Sequence, residues 1–363
     1  MVYIQNISQE QSLITLISDA LETLPEVQVK SVAAEVPYHP RTGKQADFEV
    51  LLEVRGQLLR LLIEEKRYAS PRDVLSLARQ LHASLPQAEE VSCLPMLIAP
   101  ALPMSSREIL RQEQVAYGDS GGSLYLAVAG ALFYIDKPVP KSPSRNARNI
   151  YKGKAAQVLH TLLHAPDRAW HVNEMAQESG VFPSTVHDVF QILEENLWVE
   201  RQGRGPEGVR LLRDPGALLN SWREKYSLKE YEMRSFHAWS QTPAGLRTSL
   251  DSALEEANAE YALTMSSGAE LVAPFVTSVA KLSVLVSETL SFAVISKRLK
   301  LEPVQEGANL HFYLTKSGAP FLHRRRVQDT WVASDIQLYL DLWASPARGK
   351  EQAEHLRKEK LSF

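Results

Sequence analysis

Hydrophobic residues in the first third of the chain follow first a helical and then a strand spacing. From Ser8 to Leu24 they recur every three to four residues, which predicts a helix. Runs rich in apolar and β-branched residues then predict strands. Strands are predicted at 27–36, 46–54, 57–66, 93–99 and within 123–135, with a second helix from Ser70 to about Leu85. The order helix, three strands, helix, strand indicates an α/β sandwich around a mixed sheet.

A different pattern occupies the middle of the chain. Helical spacing recurs at 154–163, 170–179 and 183–193, and Gly180 suits a tight turn between the second and third helices. Two short strands separated by a glycine-rich turn follow at 197–213. The remainder mixes helical and strand patterns, including an amphipathic helix at 334–345.

Proline and turn residues mark the expected boundaries between these parts. Residues 136–150 are rich in proline and cations and predict a linker, and Asp214-Pro215-Gly216 is a second break. We therefore expect a first domain at 1–135, the basic linker at 136–150, a second domain at 151–213 and a third at 217–363.

Composition narrows the function classes. The 363 residues contain one cysteine, Cys93, which excludes a disulfide framework and a cysteine-based zinc site. No apolar run is long enough to span a membrane, so we expect a cytoplasmic protein without membrane partners. The net charge is −3, but residues 137–213 carry +3 between parts that carry −6 and 0. A basic middle is a weak indication of nucleic-acid binding.

Two acidic residues and a lysine lie on neighbouring predicted strands. If the strands pair around Arg55-Gly56, Asp47 lies opposite Glu64, with Cβ atoms about 4.5–5.5 Å apart. Strand alternation places Lys66 on the same face as Glu64. Paired carboxylates with oxygen ligands suit Mg²⁺, and a lysine beside them suits phosphodiester hydrolysis. The alternative is an exposed charged face of a half-solvated sheet.

This arrangement resembles the PD-(D/E)xK nuclease superfamily, whose core has the order αβββαβ. The resemblance implies a restriction-endonuclease-like domain in which Asp47, Glu64, Lys66 and Gln80 are catalytic, with Asp47 and Glu64 as the Mg²⁺ ligands. Ala46 replaces the proline that usually precedes the aspartate. The glutamate that the family carries on its first helix is Glu10, Glu22 or missing from this chain. Such domains also occur as degenerate binding modules, so activity does not follow from the fold.

The middle part resembles the winged helix-turn-helix superfamily, in which the third helix enters the DNA major groove. By position, the resemblance implies base contacts from that helix and phosphate contacts from the wing and the preceding linker. The implied DNA-binding residues are Ser184, Thr185, His187, Gln191, Arg201, Arg204, Arg210, Lys152, Lys154 and Arg148. The alternative is a winged helix that contacts only proteins.

The C-terminal part resembles the AbiEi antitoxin family of type IV toxin–antitoxin pairs. The resemblance rests on the Tyr261/Thr264/Gly268 stretch, on Glu306-Gly-Ala-Asn309, and on the block from Gln337 through Asp341 and Trp343 to Arg348-Gly349. It implies a degenerate nucleotidyltransferase-like α/β domain, because strand 281–286 offers no paired acids. It also implies a regulator that binds its own operator and counters a nucleotidyltransferase-like toxin.

These observations leave three hypotheses open. The first is a DNA-binding transcriptional regulator of the antitoxin type with an appended nuclease-like domain, in which double-stranded DNA, a toxin and a second copy of the chain are the expected partners. The second is a Mg²⁺-dependent DNA endonuclease that the winged helix delivers to its site. The third is a scaffold whose domains all bind protein.

Overall fold

The chain folds as a mixed α/β protein with two large sheets. The computed structural model describes residues 13–39, 44–85, 91–128, 130–140, 149–203, 205, 208–275, 281–304 and 306–363. These residues contain 12 helices and two seven-stranded sheets. They divide into two units: the chain before residue 148 forms the first, and most of the chain after it forms the second.

The first unit is built on a sheet whose seven strands lie side by side in chain order. Its elements are α1 (Leu13–Glu22), β1 (Val27–His39), β2 (Lys44–Val54), β3 (Gln57–Glu65), α2 (Pro71–Ser84), β4 (Ser92–Ala99), α3 (Met104–Gln112), β5 (Ala116–Asp119), β6 (Leu124–Val128) and β7 (Ala131–Ile135). β1, β2 and β3 form an antiparallel meander, and β4 and β5 then add in parallel. The first six elements follow the predicted order.

Alternation along β4 shows why the sheet has helices on both faces. Met96 and Ile98 pack in the core that α1 covers, whereas Leu97 and Ala99 pack in the core that α2 and α3 cover. All four side chains are fully buried. A parallel strand buried on both faces reads as a continuous apolar run, as this segment does. Ser70 caps α2 by accepting the Asp73 N–H at 3.2 Å, ahead of Pro71 at the first helical position.

The second unit begins with three helices and a hairpin. These are α4 (Gly153–His164), α5 (Val172–Ser179), α6 (Pro183–Glu195), β8 (Val199–Gln202) and β9 (Val209–Leu212). Gly180 ends α5 with a φ of 65°, in the left-handed region. This is the tight turn between the second and third helices that the glycine predicts. Trp170 adds an antiparallel bridge to Arg210, so a third short segment lies beside the hairpin.

The rest of the second unit surrounds the second sheet, whose strand order is β13-β10-β14-β12-β11-β16-β15. Its elements are α7 (Pro215–Lys225), β10 (Glu232–His237), α8 (Pro243–Glu256), β11 (Tyr261–Leu263), α9 (Met265–Val272), β12 (Leu282–Ser287), α10 (Phe292–Leu299), β13 (Glu302–Pro303), β14 (Leu310–Thr315), β15 (Arg325–Val327), β16 (Thr330–Val332), α11 (Asp335–Ala344) and α12 (Gly349–Leu356). β12 and β14 are parallel.

One hydrophobic cluster runs through the second unit. It joins residues of α4 and α6, such as Leu159 and Phe190, to residues of α11 and α12, such as Leu340 and Leu356. The helices of the middle segment therefore share their core with the C-terminal elements. Among the described helices, none combines the length and apolar composition that a bilayer crossing needs.

Candidate functional site

The register of β2 against β3 positions the acidic pair. The two strands pair from Val54↔Gln57 next to the Arg55-Gly56 turn to Phe48↔Ile63. One further step along this register places Asp47 opposite Glu64, which is the predicted pairing. Residues directly opposite on antiparallel strands share a face, so both carboxylates lie on one side of the sheet.

Hydrogen bonds hold the two carboxylates differently. Asp47 Oδ2 accepts the backbone N–H of Glu65 at 2.7 Å. Glu64 Oε2 accepts from Lys66 Nζ at 3.0 Å, with 13% of the glutamate side chain and 42% of the lysine side chain exposed. The backbone N–H of Lys66 donates to Ile98 O at 2.9 Å and so anchors the residue to β4. Asp47, Glu64 and Lys66 therefore meet at one end of the β2–β3 pair.

The charge of Asp47 acts on the neighbouring carboxylate of Glu65. The pKa of Glu65 is raised by burial and, secondarily, by the charge of Asp47. Carboxylate oxygens are the ligands that Mg²⁺ prefers, and one or two protein carboxylates commonly suffice when substrate phosphates complete the coordination. Among the described residues, no group of three or more acidic, histidine or cysteine side chains forms a metal cluster. Asp47 and Glu64 are the two predicted ligands that could hold a Mg²⁺ ion at this end of the strands.

A cleft of about 550 Å³ adjoins the acidic pair on the side of α2. Its lining includes Glu64, Lys66 and Gln80, so the structure brings three of the four predicted catalytic residues to one cavity. The remaining lining residues are Gln45, Arg67, Tyr68, Asp73, Ser76, Leu77 and Leu81. Sequence reasoning missed Arg67, which lies beyond the end of β3, and Ser76, whose position four residues before Gln80 on α2 could have indicated it.

The first-helix glutamate has no match among the described residues. Glu22 ends α1, and the chain returns within five residues to Val27, which pairs with Val54 beside the turn. Asp47 precedes Val54 by seven residues on β2, which corresponds to about 23 Å at the rise of a strand. Glu22 is therefore at the opposite end of the strands from the acidic pair. Glu10 lies outside the described residues.

In the second unit, α6 presents the predicted polar face. Val186, Val189, Phe190 and Leu193 are buried beneath the helix. The side chains of Ser184, His187 and Gln191 are exposed, and Thr185 is half-buried. Hydroxyl, imidazole and amide groups therefore lie along one accessible side of this helix.

The predicted phosphate-contacting cations have different surroundings. Arg201 is exposed on β8 and donates to Gly205 O at 2.9 Å, and Lys154 is exposed at the start of α4. Lys152 is half-exposed and forms an ion pair with Glu230. Arg148 and Arg204 lie outside the described residues.

Arg210 does not fit the prediction of a phosphate contact. Its side chain is buried, with Nε donating to Glu194 Oε1 at 3.1 Å and Nη1 to Gly208 O at 3.0 Å. The guanidinium also lies over the Phe190 ring, 5.7 Å from its centre. Arg210 therefore ties the hairpin to α6, and we leave it out of the candidate interface.

Residues of the C-terminal signature blocks converge on one buried carboxylate. Asp341 on α11 accepts hydrogen bonds from Thr264, from Tyr226 at 2.5 Å and from Gln337 at 2.9 Å. Gly268 packs so closely that a Cβ there would lie 2.7 Å from Leu263 O. These motif residues thus connect α7, α9 and α11 to one another.

Comparisons with known proteins give little beyond this geometry. No family model matches the chain, and no curated protein matches its sequence. A solved structure described as EndoMS in its apo form is similar over 31% of this chain and 47% of its own chain, at 16% identity and a TM-score of 0.20. A match with so low a TM-score carries no argument about function.

Proposed function

We propose that the first unit is a phosphodiesterase of the PD-(D/E)xK type that hydrolyses DNA with Mg²⁺. The observation that carries the proposal is the strand register up to Phe48↔Ile63, whose extension by one residue sets Asp47 opposite Glu64, while Lys66 Nζ lies 3.0 Å from Glu64 Oε2. An acidic pair and a lysine at the end of one hairpin, beside an open cleft, suit a reaction that accumulates charge on a phosphate.

Each side chain at the cleft has a separate role in the proposed hydrolysis of a phosphodiester. A Mg²⁺ ion held by Asp47 and Glu64 would neutralise negative charge on the scissile phosphate. Lys66 donates hydrogen bonds to phosphate oxygens as their charge grows, and its partial exposure lets the ammonium group reach them. Gln80, which is exposed on α2 and lines the cleft, orients the sugar-phosphate backbone or the attacking water through its amide. Arg67 attracts the polyanion to the cleft.

The second unit supports a second candidate function, that of a DNA-binding regulator. The observation that favours it is the exposed polar face of α6 above a buried apolar face, next to the β8–β9 hairpin. We propose that α4, α5, α6 and this hairpin form a winged helix-turn-helix that binds duplex DNA. The regulator would then repress its own promoter and pair with a nucleotidyltransferase-like toxin, as the AbiEi resemblance implies.

Cleavage of supercoiled plasmid by the full chain tests the first proposal. We expect nicking that requires Mg²⁺ or Mn²⁺ and stops with chelator. Asp47→Asn, Glu64→Gln and Lys66→Met should each lower the initial rate by about 10²-fold, the usual effect of removing one charge-stabilising group. Glu53→Gln is the matched control, because Glu53 lies on β2 as Asp47 does but pairs with Lys30 near the other end of the strand.

The results separate the two candidates. Absence of metal-dependent cutting by the folded chain on single-stranded, double-stranded and mismatched DNA would refute the phosphodiesterase. Salt-sensitive binding to DNA upstream of its own gene would then favour the regulator. In that case we expect Arg201→Ala to weaken binding equally on all sequences, and Gln191→Ala to change the sequence preference.

A further inference from the structure

An exposed aromatic residue lies at the start of α6. Phe182 follows Val181, a partly buried residue of the second unit's core, and precedes Pro183, the first residue of the helix. At 80% exposure it is the most exposed large hydrophobic residue in the described part of the chain. The Phe182 ring therefore contributes little to the hydrophobic core.

Phe182 also occupies a helix position to which phenylalanine is poorly suited. Its carbonyl oxygen accepts the N–H of Thr185 at 2.9 Å and that of Val186 at 3.3 Å, so Phe182 is the N-cap residue of α6. Serine, threonine, aspartate and asparagine are preferred there because their side chains accept a backbone N–H, which a phenyl ring cannot do. Neither burial nor capping explains this ring, and residues that break such local rules are expected at functional sites.

The position of the ring matches the part of a helix-turn-helix that contacts bases. In that motif the first residues of the helix in the major groove lie against base edges. Thymine is the base that carries an apolar C5-methyl group in this groove, and phenylalanine is among the side chains that contact it. A phenyl ring at the start of α6 therefore has a matching feature on duplex DNA.

The surroundings of the ring favour DNA over protein as its partner. The exposed side chains of Ser184, His187 and Gln191 on α6 are polar. This helix is described along its whole length, and it exposes no large hydrophobic residue of its own. The core of a protein interface needs a cluster of apolar side chains, whereas a DNA groove accommodates single apolar contacts among polar ones.

We propose that Phe182 recognises thymine in the DNA that the second unit binds, by packing its ring against the C5-methyl group in the major groove. The inference rests on the proposed DNA-binding function and adds a base preference to it. Burial of one methyl group corresponds to about fourfold in affinity. Uracil pairs with adenine as thymine does and lacks only this methyl group, so it isolates the contact.

Binding of the full chain to two versions of one duplex tests the proposal. The probe is the tightest-binding duplex that the full chain selects from a randomised library, synthesised with thymidine or with deoxyuridine throughout. Fluorescence anisotropy at one salt concentration gives both dissociation constants. We expect the deoxyuridine duplex to bind about fourfold more weakly for each methyl group contacted. Phe182→Ala should bind both versions equally, and the thymidine version about tenfold more weakly than the unmodified chain does.

A second variant separates DNA recognition from a structural role of the ring. Phe182→Ser introduces a preferred N-cap residue, so its melting temperature should equal or exceed that of the unmodified chain. The difference between the two duplexes should nevertheless disappear. Trp239→Ala is the control, because Trp239 is 77% exposed after the end of β10, and it should leave both dissociation constants unchanged.

The outcomes distinguish this inference from the function on which it rests. If the full chain selects no duplex, both are overturned. If it binds a duplex but does not distinguish the two versions, the DNA-binding function stands, thymine recognition is overturned, and a protein contact is left for the ring. A difference that persists in Phe182→Ala and Phe182→Ser would also overturn the inference, as would a lower melting temperature of Phe182→Ser.

Discussion

Asp341→Asn is expected to remove a loss of stability that the second unit suffers as pH rises to neutrality. The carboxyl group of Asp341 is completely buried, and Thr264, Tyr226 and Gln337 donate hydrogen bonds to it, but no cation in the described part of the chain pairs with it. Burial raises its pKa to about 6, and the three hydrogen bonds offset only part of that rise. Asparagine has a similar shape and carries no charge.

The size of the effect follows from the pKa difference between the folded and unfolded chain. An unfolded aspartate has a pKa of about 3.9, so a folded value of about 6 is a difference of about two pH units, or about 3 kcal/mol. The folded state binds more protons than the unfolded state between these values. This group therefore lowers the free energy of unfolding as pH rises from about 4 to 6, and the full loss persists at pH 7.

Urea unfolding monitored by tryptophan fluorescence measures this difference. All six tryptophans lie in the sequence after residue 148, so the signal reports the second unit. The difference in unfolding free energy between Asp341→Asn and the unmodified chain should grow by about 2 kcal/mol from pH 4 to pH 7, because the unfolded aspartate is already half ionised at pH 4. Other titrating groups cancel in this difference. A difference that does not change with pH, or that shrinks as pH rises, would refute the reasoning.

Three other changes have defined outcomes. Gly268→Ala should destabilise the second unit by about 1–3 kcal/mol in the same urea assay, because the added Cβ would overlap Leu263 O. An unchanged unfolding midpoint would contradict this close packing. Burial lowers the pKa of His160 to about 3, so acidification from well above pH 6.5 to pH 4.5 should lower the free energy of unfolding by about 3 kcal/mol. His160→Gln should lessen that loss, and an equal acid sensitivity of the variant would contradict the prediction. Arg107→Met should lower the free energy of unfolding of the first unit by about 3–5 kcal/mol, followed by circular dichroism, because the buried carboxylate of Asp119 loses the guanidinium that lies 2.7 Å away. Arg55→Met, at an exposed ion pair with Glu26, is the control and should lower it by less than about 1 kcal/mol.

Local rules were enough to predict much of the first unit. The turn at Arg55-Gly56 and the alternation of β2 and β3 determine which side chains face each other, and both can be read from neighbouring residues. The N-cap at Ser70 is equally local. The observed register, which ends at Phe48↔Ile63, agrees with the predicted one, and Asp47 and Glu64 are the next residues along it.

Features that depend on distant partners could not be predicted in this way. Arg210 has the sequence context of an exposed wing residue, and only the approach of Glu194 and Phe190 buries it. The helix α7 ends at Lys225 and β10 begins at Glu232, because that segment joins the sheet beside β14, a strand that is distant in the sequence. The segment with α3 and β5 went unrecognised, since α3 begins after Pro103 without a side-chain cap.

The two-residue turn between β2 and β3 has a consequence for how this protein tolerates change. Side chains on a strand point to opposite faces at every step. Adding or losing one residue at Arg55-Gly56 would therefore turn Asp47 and Glu64 to opposite faces, although the number of hydrophobic residues stays the same. The length of a solvent-exposed loop about seven residues from the acidic pair is therefore as constrained as the acids themselves. Natural variants should vary the identity of the loop residues far more readily than their number.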